Sequence, residues 1–369
     1  MYRFSFHNPV ATFVGTGQFE LAQDRYVGKR VLLLSGSVVS KLPQYQSIRT
    51  LLGTRVVGEY TAVPPNPDVF AVDEIVALLH QSQADTVIGI GGGSTLDAAK
   101  MAAAICGEAV PTEAYLSGKP LPEQRPVKLV LLPTTAGTGS EVTNNAVITS
   151  GVQKRKIAQV GDALFCDAAV IDPELFRTVP TRVATASGFD ALCHAIESLW
   201  STNAMPPSDA LAMAAIERIV ANLEQACGGD AHAQEEMAIA SCLAGMAFTQ
   251  TRVNICHANS YYLTQHYGLD HGAACAVTLV PALRYNLDAT RGKLDAAARQ
   301  CGLSSAEDLI DEIERMYRSL DMKEHLSDYG VTEDDILPMA DAIMANPISA
   351  FNPVPLTREA LAQLLHQIL

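Results

Sequence analysis

No long run of lysine and arginine occurs in this chain, the three residues Lys154-Arg-Lys156 being too few to offset a formal net charge of -14. A surface of that sign repels phosphate backbones and anionic lipid headgroups, so neither a nucleic acid nor a membrane is an expected partner. Long apolar runs are missing as well. None reaches the length of a spanning helix, and the N-terminal Met1-Tyr-Arg-Phe-Ser-Phe-His7 lacks the apolar core of a secretory signal, which makes the cytoplasm the expected compartment. The eight cysteines include no C-x-x-C pair, which argues against a disulfide framework or a structural zinc site. They are scattered through apolar helical segments, as expected of reduced packing residues. Cys193 and Cys256 each precede a histidine, but neighbours on a helix point about 100° apart, so these two are read as packing as well. Internal repeats, low-complexity tracts and long polar linkers are also lacking, so the expected domains should share a broad contact.

What is there suffices for a large core. Of the 369 residues, 48% are hydrophobic and 18% charged, and this length predicts two domains. Three continuous apolar runs, Val31 to Leu34, Thr86 to Ile90 and Lys128 to Leu132, read as strands covered on both faces. Helical periodicity over 68–80 and 95–105 lies between them, so residues 1–178 are expected to form a Rossmann-like α/β domain with a parallel sheet. From Thr181 onward the strand signals stop. Segments 181–202, 207–228, 232–249, 271–288, 305–320, 332–345 and 357–368 read as helices, which predicts an all-α domain over 179–369.

Within that helical half, Ser187-Gly-Phe-Asp-Ala-Leu-Cys-His-Ala-Ile-Glu197 places Asp190 and His194 one turn apart on the same helix face. Alone, such a pair also fits a surface contact or a packed core histidine. Two further histidines, His257 and His271, follow in similar settings, and one carboxylate with three imidazoles suits a borderline divalent ion such as Fe(II) or Zn(II).

Two polar loops follow strands in the first half. Gly91-Gly-Gly-Ser-Thr-Leu-Asp97 leads from a strand into a helix, where bare backbone and partially positive N–H groups suit a pyrophosphate. Ser94 with Asp97 three residues on resembles a capping box. The spacing is not G-x-G-x-x-G, and a turn that only packs tightly remains an alternative. Pro133-Thr-Thr-Ala-Gly-Thr-Gly-Ser-Glu141 follows the third strand, where ligands collect in open α/β sheets.

Together these loops, Val63-Pro-Pro-Asn-Pro67, Gly188-Phe-Asp190 with His194, and His257 followed by His271-Gly272 resemble the iron-containing (group III) alcohol dehydrogenase family over nearly the whole chain. The resemblance implies an architecture like that of dehydroquinate synthase, with NAD(P) bound to the first domain. It also implies a divalent ion held by Asp190, His194, His257 and His271. By motif position it implies cofactor contacts from Asn66, Gly92, Gly93, Ser94, Asp97, Thr134, Thr135, Thr138 and, less directly, Lys156. Homodimers or larger homo-oligomers are the assemblies it suggests.

The departures from the family pattern carry information. Where many relatives end the first strand with an Asp that rejects a 2′-phosphate, this chain has Gly36 followed by Ser37, with Lys41 nearby, so NADP(H) is expected to be favoured over NAD(H). Where relatives often have a proton-relaying histidine, Tyr261 stands, the catalytic candidate here and a poorer shuttle at a pKa near 10. Asp270 replaces a usual proline and is expected either to orient a ligand imidazole or to face water. The implied activity is hydride exchange between a small primary alcohol or aldehyde and NAD(P). The run His257 to Thr264 resembles a subset acting on anionic aldehydes such as phosphonoacetaldehyde or sulfoacetaldehyde, and Arg252 is a candidate clamp for the anion, though it also reads as a surface arginine. The alternative is a lyase resembling dehydroquinate synthase, dependent on NAD and zinc.

Overall fold

The structure, a computed structural model, describes residues 3–369, and its backbone separates into two compact units. The first comprises Asn8–Thr135 and Gly139–Thr178. Its six-stranded sheet is built from β1 (Ala11–Val14), β2 (Val31–Ser35), β3 (Val56–Tyr60), β4 (Thr86–Gly91), β5 (Lys128–Pro133) and β8 (Ala168–Ile171). Between β5 and β8 the chain forms an antiparallel hairpin of β6 (Asn145–Thr149) and β7 (Lys156–Val160). The sheet order is β1-β8-β5-β4-β2-β3, parallel throughout.

Helices α1 (Gln18–Tyr26), α2 (Pro43–Leu52), α3 (Val69–Ser82), α4 (Gly93–Ile105) and the short α5 (Thr112–Leu116) connect the strands. The chain leaves β2 in one direction along the sheet and β4 in the other. The crevice at the carboxyl ends of these two strands is therefore the switch point where open α/β sheets take their ligands. Gly36 and Ser37 follow β2 on one side of it, and the glycine turn follows β4 on the other.

Strands β2, β4 and β5 are buried along nearly their whole length, which explains their unbroken apolar runs. The other strands have weaker signals. β3 is half-buried and mixes Gly58 and Glu59 into its apolar residues, while β1 and β8 have only four residues each. Helix α4 follows β4 closely because its inner positions are alanines, Ala98, Ala99, Ala102 and Ala103, all fully buried.

The second unit holds residues 3–7, Ala136–Thr138 and Val179–Leu369. Its helices are α6 (Thr181–Trp200), α7 (Pro206–Cys227), α8 (Ala231–Thr251), α9 (Ile255–Tyr267), α10 (His271–Gln300), α11 (Ala306–Ser319), α12 (Glu333–Ala345) and α13 (Arg358–His366). From Thr185 to Trp200 almost every residue of α6 is buried, so this helix is the axis of the unit. Two features differ from the sequence expectation. α9 exists although its sequence has little apolar periodicity, and α10 runs through Pro281 to Gln300, well past 288. The Pro281 side chain is buried in the core, and the half of α10 beyond residue 288 has a polar outer face that masks its helical character in sequence.

Candidate metal centre

Asp190, His194 and Glu197 lie on one face of α6 at spacings of four and three residues, and all three are buried. Glu197 was not singled out by the sequence reading, yet it organises the site. Its Oε1 accepts the backbone N–H groups of Cys256 at 2.7 Å and Asn254 at 3.2 Å, which are donors at the start of α9. Its Oε2 accepts from Nδ1–H of His257. Asn254 caps α9 through its side chain and is itself held by the Trp200 indole N–H at 2.7 Å. The irregular α9 therefore starts from a fixed point, and His257 is fixed with it.

With Nδ1–H committed to Glu197, the lone pair of His257 lies on Nε2, which faces Asp190 Oδ1 at 3.5 Å. His271, the first residue of α10, brings Nε2 to 3.7 Å from the same oxygen. Gly272 makes this approach feasible. A methyl group there would overlap the backbone carbonyl of Ala186 on α6, so α10 can begin beside Asp190 only with glycine at this position.

His194 lies at the edge of this cluster. Its Nδ1 is 4.0 Å from Asp190 Oδ2 and 3.2 Å from the carbonyl of Gly137, which can only accept, so Nδ1 donates and Nε2 carries the lone pair. Its ring is sandwiched between Phe248, at 4.2 Å between centroids, and His257, at 4.4 Å. The four residues whose donor atoms all lie within 4.8 Å of one another are Asp190, His257, His271 and Cys275. The structure thus brings together three of the four expected ligands, keeps His194 alongside, and places beside them the sulfur of Cys275, which is buried in the core as expected.

Asp190 Oδ1 and His257 Nε2 are both buried, and neither has a hydrogen-bond partner. Two such atoms facing each other are costly unless something cationic lies between them. Burial opposes the charge on Asp190, but His194, His271 and His257 outweigh it and hold the carboxyl well below the usual range. Burial pushes His194 down to about 4, which keeps its imidazole neutral, as a ligand must be. An anionic carboxylate and a neutral His194 beside two unsatisfied buried atoms fit a divalent cation; without one, burial lowers the pKa of His257 but Cys275, Glu197 and Asp190 outweigh it and push it well up.

The other expected site residues fall as follows. Asn66 adopts a left-handed backbone, with φ 53°, and its N–H donates to Ser94 Oγ at 3.0 Å, tying the Val63 to Pro67 loop to the start of α4. Gly92 is the N-cap of α4 without a side-chain cap, so the expected capping box between Ser94 and Asp97 does not form. Asp97 instead accepts from Ser140 Oγ at 2.6 Å and from the Val147 N–H at 2.9 Å. Thr134 N–H donates to the Gly91 carbonyl at 3.0 Å, and a Cβ on Gly92 would lie 3.3 Å from Thr135 Oγ1, so the glycine and threonine turns are neighbours. Gly36 and Gly93 are half-buried, Ser37 is exposed, and Lys156 opens β7. Thr138 belongs to the short stretch that packs with the helical unit. Tyr261 is half-buried on α9, one turn beyond His257. Asp270 is exposed and pairs with Arg182, so it faces outward.

A doubly wound sheet with a glycine turn at its switch point, joined in one chain to a helical unit that holds a carboxylate among imidazoles, fits the class of metal-dependent, nicotinamide-linked enzymes, and similarity to known proteins decides among them. Residues 9–173 match the family model described as Iron-containing alcohol dehydrogenase, and residues 184–369 the one described as Fe-containing alcohol dehydrogenase family, C-terminal. The chain belongs to the iron-containing alcohol dehydrogenase family. It is 34% identical over 347 residues to long-chain-alcohol dehydrogenase 1 of Geobacillus thermodenitrificans, covering 90% of this chain and 87% of that one. It is 34% identical over 316 residues to lactaldehyde reductase of Escherichia coli, covering 83% of each. The crystal structure of sulfoacetaldehyde reductase from Bifidobacterium kashiwanohense, in complex with NAD+, superposes with a TM-score of 0.95 at 30% identity, over 100% of this chain and 99% of that one. The protein is an NAD(P)-dependent alcohol dehydrogenase, a metal-dependent oxidoreductase of alcohols and aldehydes. No helix among the described residues is long and apolar enough to cross a membrane.

Proposed function

We propose that the protein reduces a small anionic aldehyde with NADPH at one divalent ion held by Asp190, His194, His257 and His271. The observation that carries the metal reading is the facing pair of unpartnered buried atoms, Asp190 Oδ1 and His257 Nε2. When bound, the ion supplies a Lewis acid for the carbonyl oxygen and the nicotinamide supplies the hydride. The chain does the rest. Glu197 fixes the His257 ring, Gly137 fixes His194, and Tyr261 stands one turn beyond His257 with a hydroxyl that can donate to the substrate oxygen. Zinc outcompetes ferrous iron at mixed nitrogen and oxygen donors, so metal supply decides which ion is present.

On the α/β unit, the start of α4 at Gly92, Gly93 and Ser94 takes the pyrophosphate, with Asn66, Thr134 and Thr135 around it. Asp97 holds the adjoining loop in place; burial raises its pKa, and Lys100 most strongly and Lys156 more weakly oppose that rise. Gly36 and Ser37 at the end of β2 leave room for a 2′-phosphate and present no carboxylate against it. A Cβ at Gly36 would meet only the Val63 carbonyl at 3.5 Å, an ordinary contact, so Gly36→Asp is expected to fold normally. That substitution should lower the ratio of kcat/KM for NADPH to that for NADH by about 100-fold, since like charges brought together cost several kcal/mol. Equal use of both cofactors by the unmodified protein would defeat the NADPH preference.

Arg252 supports an anionic substrate. It closes α8 with φ 65° and ψ 156°, a region almost reserved for glycine that costs a larger residue about 1–3 kcal/mol. Its guanidinium is half-buried and makes no hydrogen bond or ion pair among the described residues. Its backbone neighbours touch the site on both sides. The Arg252 N–H donates to the carbonyl of Phe248, whose ring stacks on His194, and Asn254 two residues on donates to Glu197. Strain retained beside a site suggests a use for the side chain, and guanidinium matches carboxylate, sulfonate and phosphonate oxygens. Arg252→Gly is expected to raise the melting temperature while raising KM for such an aldehyde roughly 10- to 100-fold, the size of a charged hydrogen bond. KM for a neutral aldehyde of equal length should be unchanged, and parallel changes for both would defeat the anionic reading. The whole proposal is tested by following NADPH absorbance at 340 nm against a panel of anionic and neutral aldehydes, with metal analysis of the same sample. Steady NADPH loss supports it, and no turnover with any aldehyde in metal-replete protein contradicts it.

A further inference from the structure

Cys275 lies one turn beyond His271 on α10, fully buried, with Sγ 3.9 Å from His271 Nε2. The same sulfur lies within 4.8 Å of the donor atoms of Asp190 and His257, so three helices deliver four donors to one point. His194 is held differently. It gives its Nδ1–H to the Gly137 carbonyl and is stacked face to face between Phe248 and His257. Cys193, Cys256 and Cys275 all belong to the surrounding apolar core, but of the eight cysteines only Cys275 has its sulfur in this group.

We propose that Cys275 binds the metal ion through its sulfur, as a donor additional to the carboxylate and imidazoles. This rests on the metal-centre reading given above. On coordination the thiol proton leaves to solvent and a sulfur–metal bond forms, with no change in oxidation state. A soft sulfur donor shifts the site toward zinc, cobalt or ferrous ions and away from magnesium and manganese. The ion also anchors α10 at two successive turns, His271 and Cys275, which makes the start of that helix a rigid wall of the site.

The test uses the full chain, stripped with a chelator and reloaded with Co(II), whose absorption reports a bound thiolate directly. With one cobalt per chain, the unmodified protein is expected to show a near-ultraviolet thiolate-to-cobalt charge-transfer band. Cys275→Ser is expected to lose that band while keeping cobalt, and Cys193→Ser to retain it. One cobalt per chain with no such band in the unmodified protein overturns the proposal, and this holds even if Cys275→Ser fails to fold. Identical spectra for the unmodified protein and a folded Cys275→Ser overturn it as well. Failure of the unmodified chain to bind any cobalt removes the metal centre itself, an outcome distinct from a cobalt site without sulfur.

Discussion

His257→Ala is expected to lower kcat/KM for aldehyde reduction by roughly 10³-fold or more, equivalent to about 4 kcal/mol of transition-state stabilisation. The size follows from the ring's position. His257 is held at Nδ1 by Glu197, while its Nε2 faces Asp190 Oδ1 at 3.5 Å inside a buried pocket. Removing the ring takes a donor from the ion and leaves two carboxylates, Asp190 and Glu197, without the imidazole between them. Metal content should fall in parallel with rate. Glu197→Gln provides the contrast, because it leaves every donor in place but weakens the hold on His257, so metal affinity should fall about 10- to 100-fold. Saturating metal should restore most of its kcat, whereas His257→Ala should stay inactive at any metal concentration. A His257→Ala variant with near-normal kcat would contradict the site.

Lys100→Met is expected to cost about 3–5 kcal/mol of folding stability, the usual consequence of breaking a buried charged network by removing one partner. The Lys100 ammonium is fully buried and donates to the Ser140 carbonyl at 2.6 Å, the Asn145 carbonyl at 2.7 Å, and the hydroxyls of Ser140 and Thr143 at 2.9 Å each. Asp97 stands 4.0 Å away as the counter-charge. Burial lowers the pKa of Lys100, and Asp97, Cys166 and Glu141 oppose that shift. Methionine fills the volume but takes a charged donor from the Ser140 and Asn145 carbonyls and from the Ser140 and Thr143 hydroxyls, and removes the buried cation beside Asp97. The same network ties the end of the Pro133 to Glu141 loop to α4, so NADPH KM should rise as well. Chemical denaturation of the unmodified and Lys100→Met proteins measures the loss, and a difference below about 1 kcal/mol would contradict the role assigned to this ammonium.

Strands β2, β4 and β5 were legible because both faces of each are covered, which forces unbroken apolar runs. The half-buried β3 has no such pressure, and β6 and β7 are only five residues each, alternating buried and half-buried positions in β6 and largely half-buried in β7. Asp190 and His194 were visible as a pair because helical spacing declares a shared face. Glu197, three residues beyond His194, carried the same signal, but a glutamate on a helix is so often solvated that spacing alone does not single it out. α9 was invisible because tertiary anchors hold its start, namely Glu197, Asn254 and Trp200, instead of an apolar stripe. Cys275 packs in the core as its alanine and valine surroundings imply, and only the structure shows that its sulfur also lies beside the His271 ring one turn earlier on the same helix. The Ser94 to Asp97 spacing suggested a capping box, and the structure spends both side chains on other loops, Ser94 on Asn66 and Asp97 on Ser140 and Val147.

The most direct test of the metal centre is a titration of one sample with a chelator, reading bound metal and NADPH-dependent aldehyde reduction together, followed by re-addition of Zn(II) or Fe(II). The two signals should fall in proportion, reach zero together, and return together. Full activity in protein stripped of metal would contradict the account.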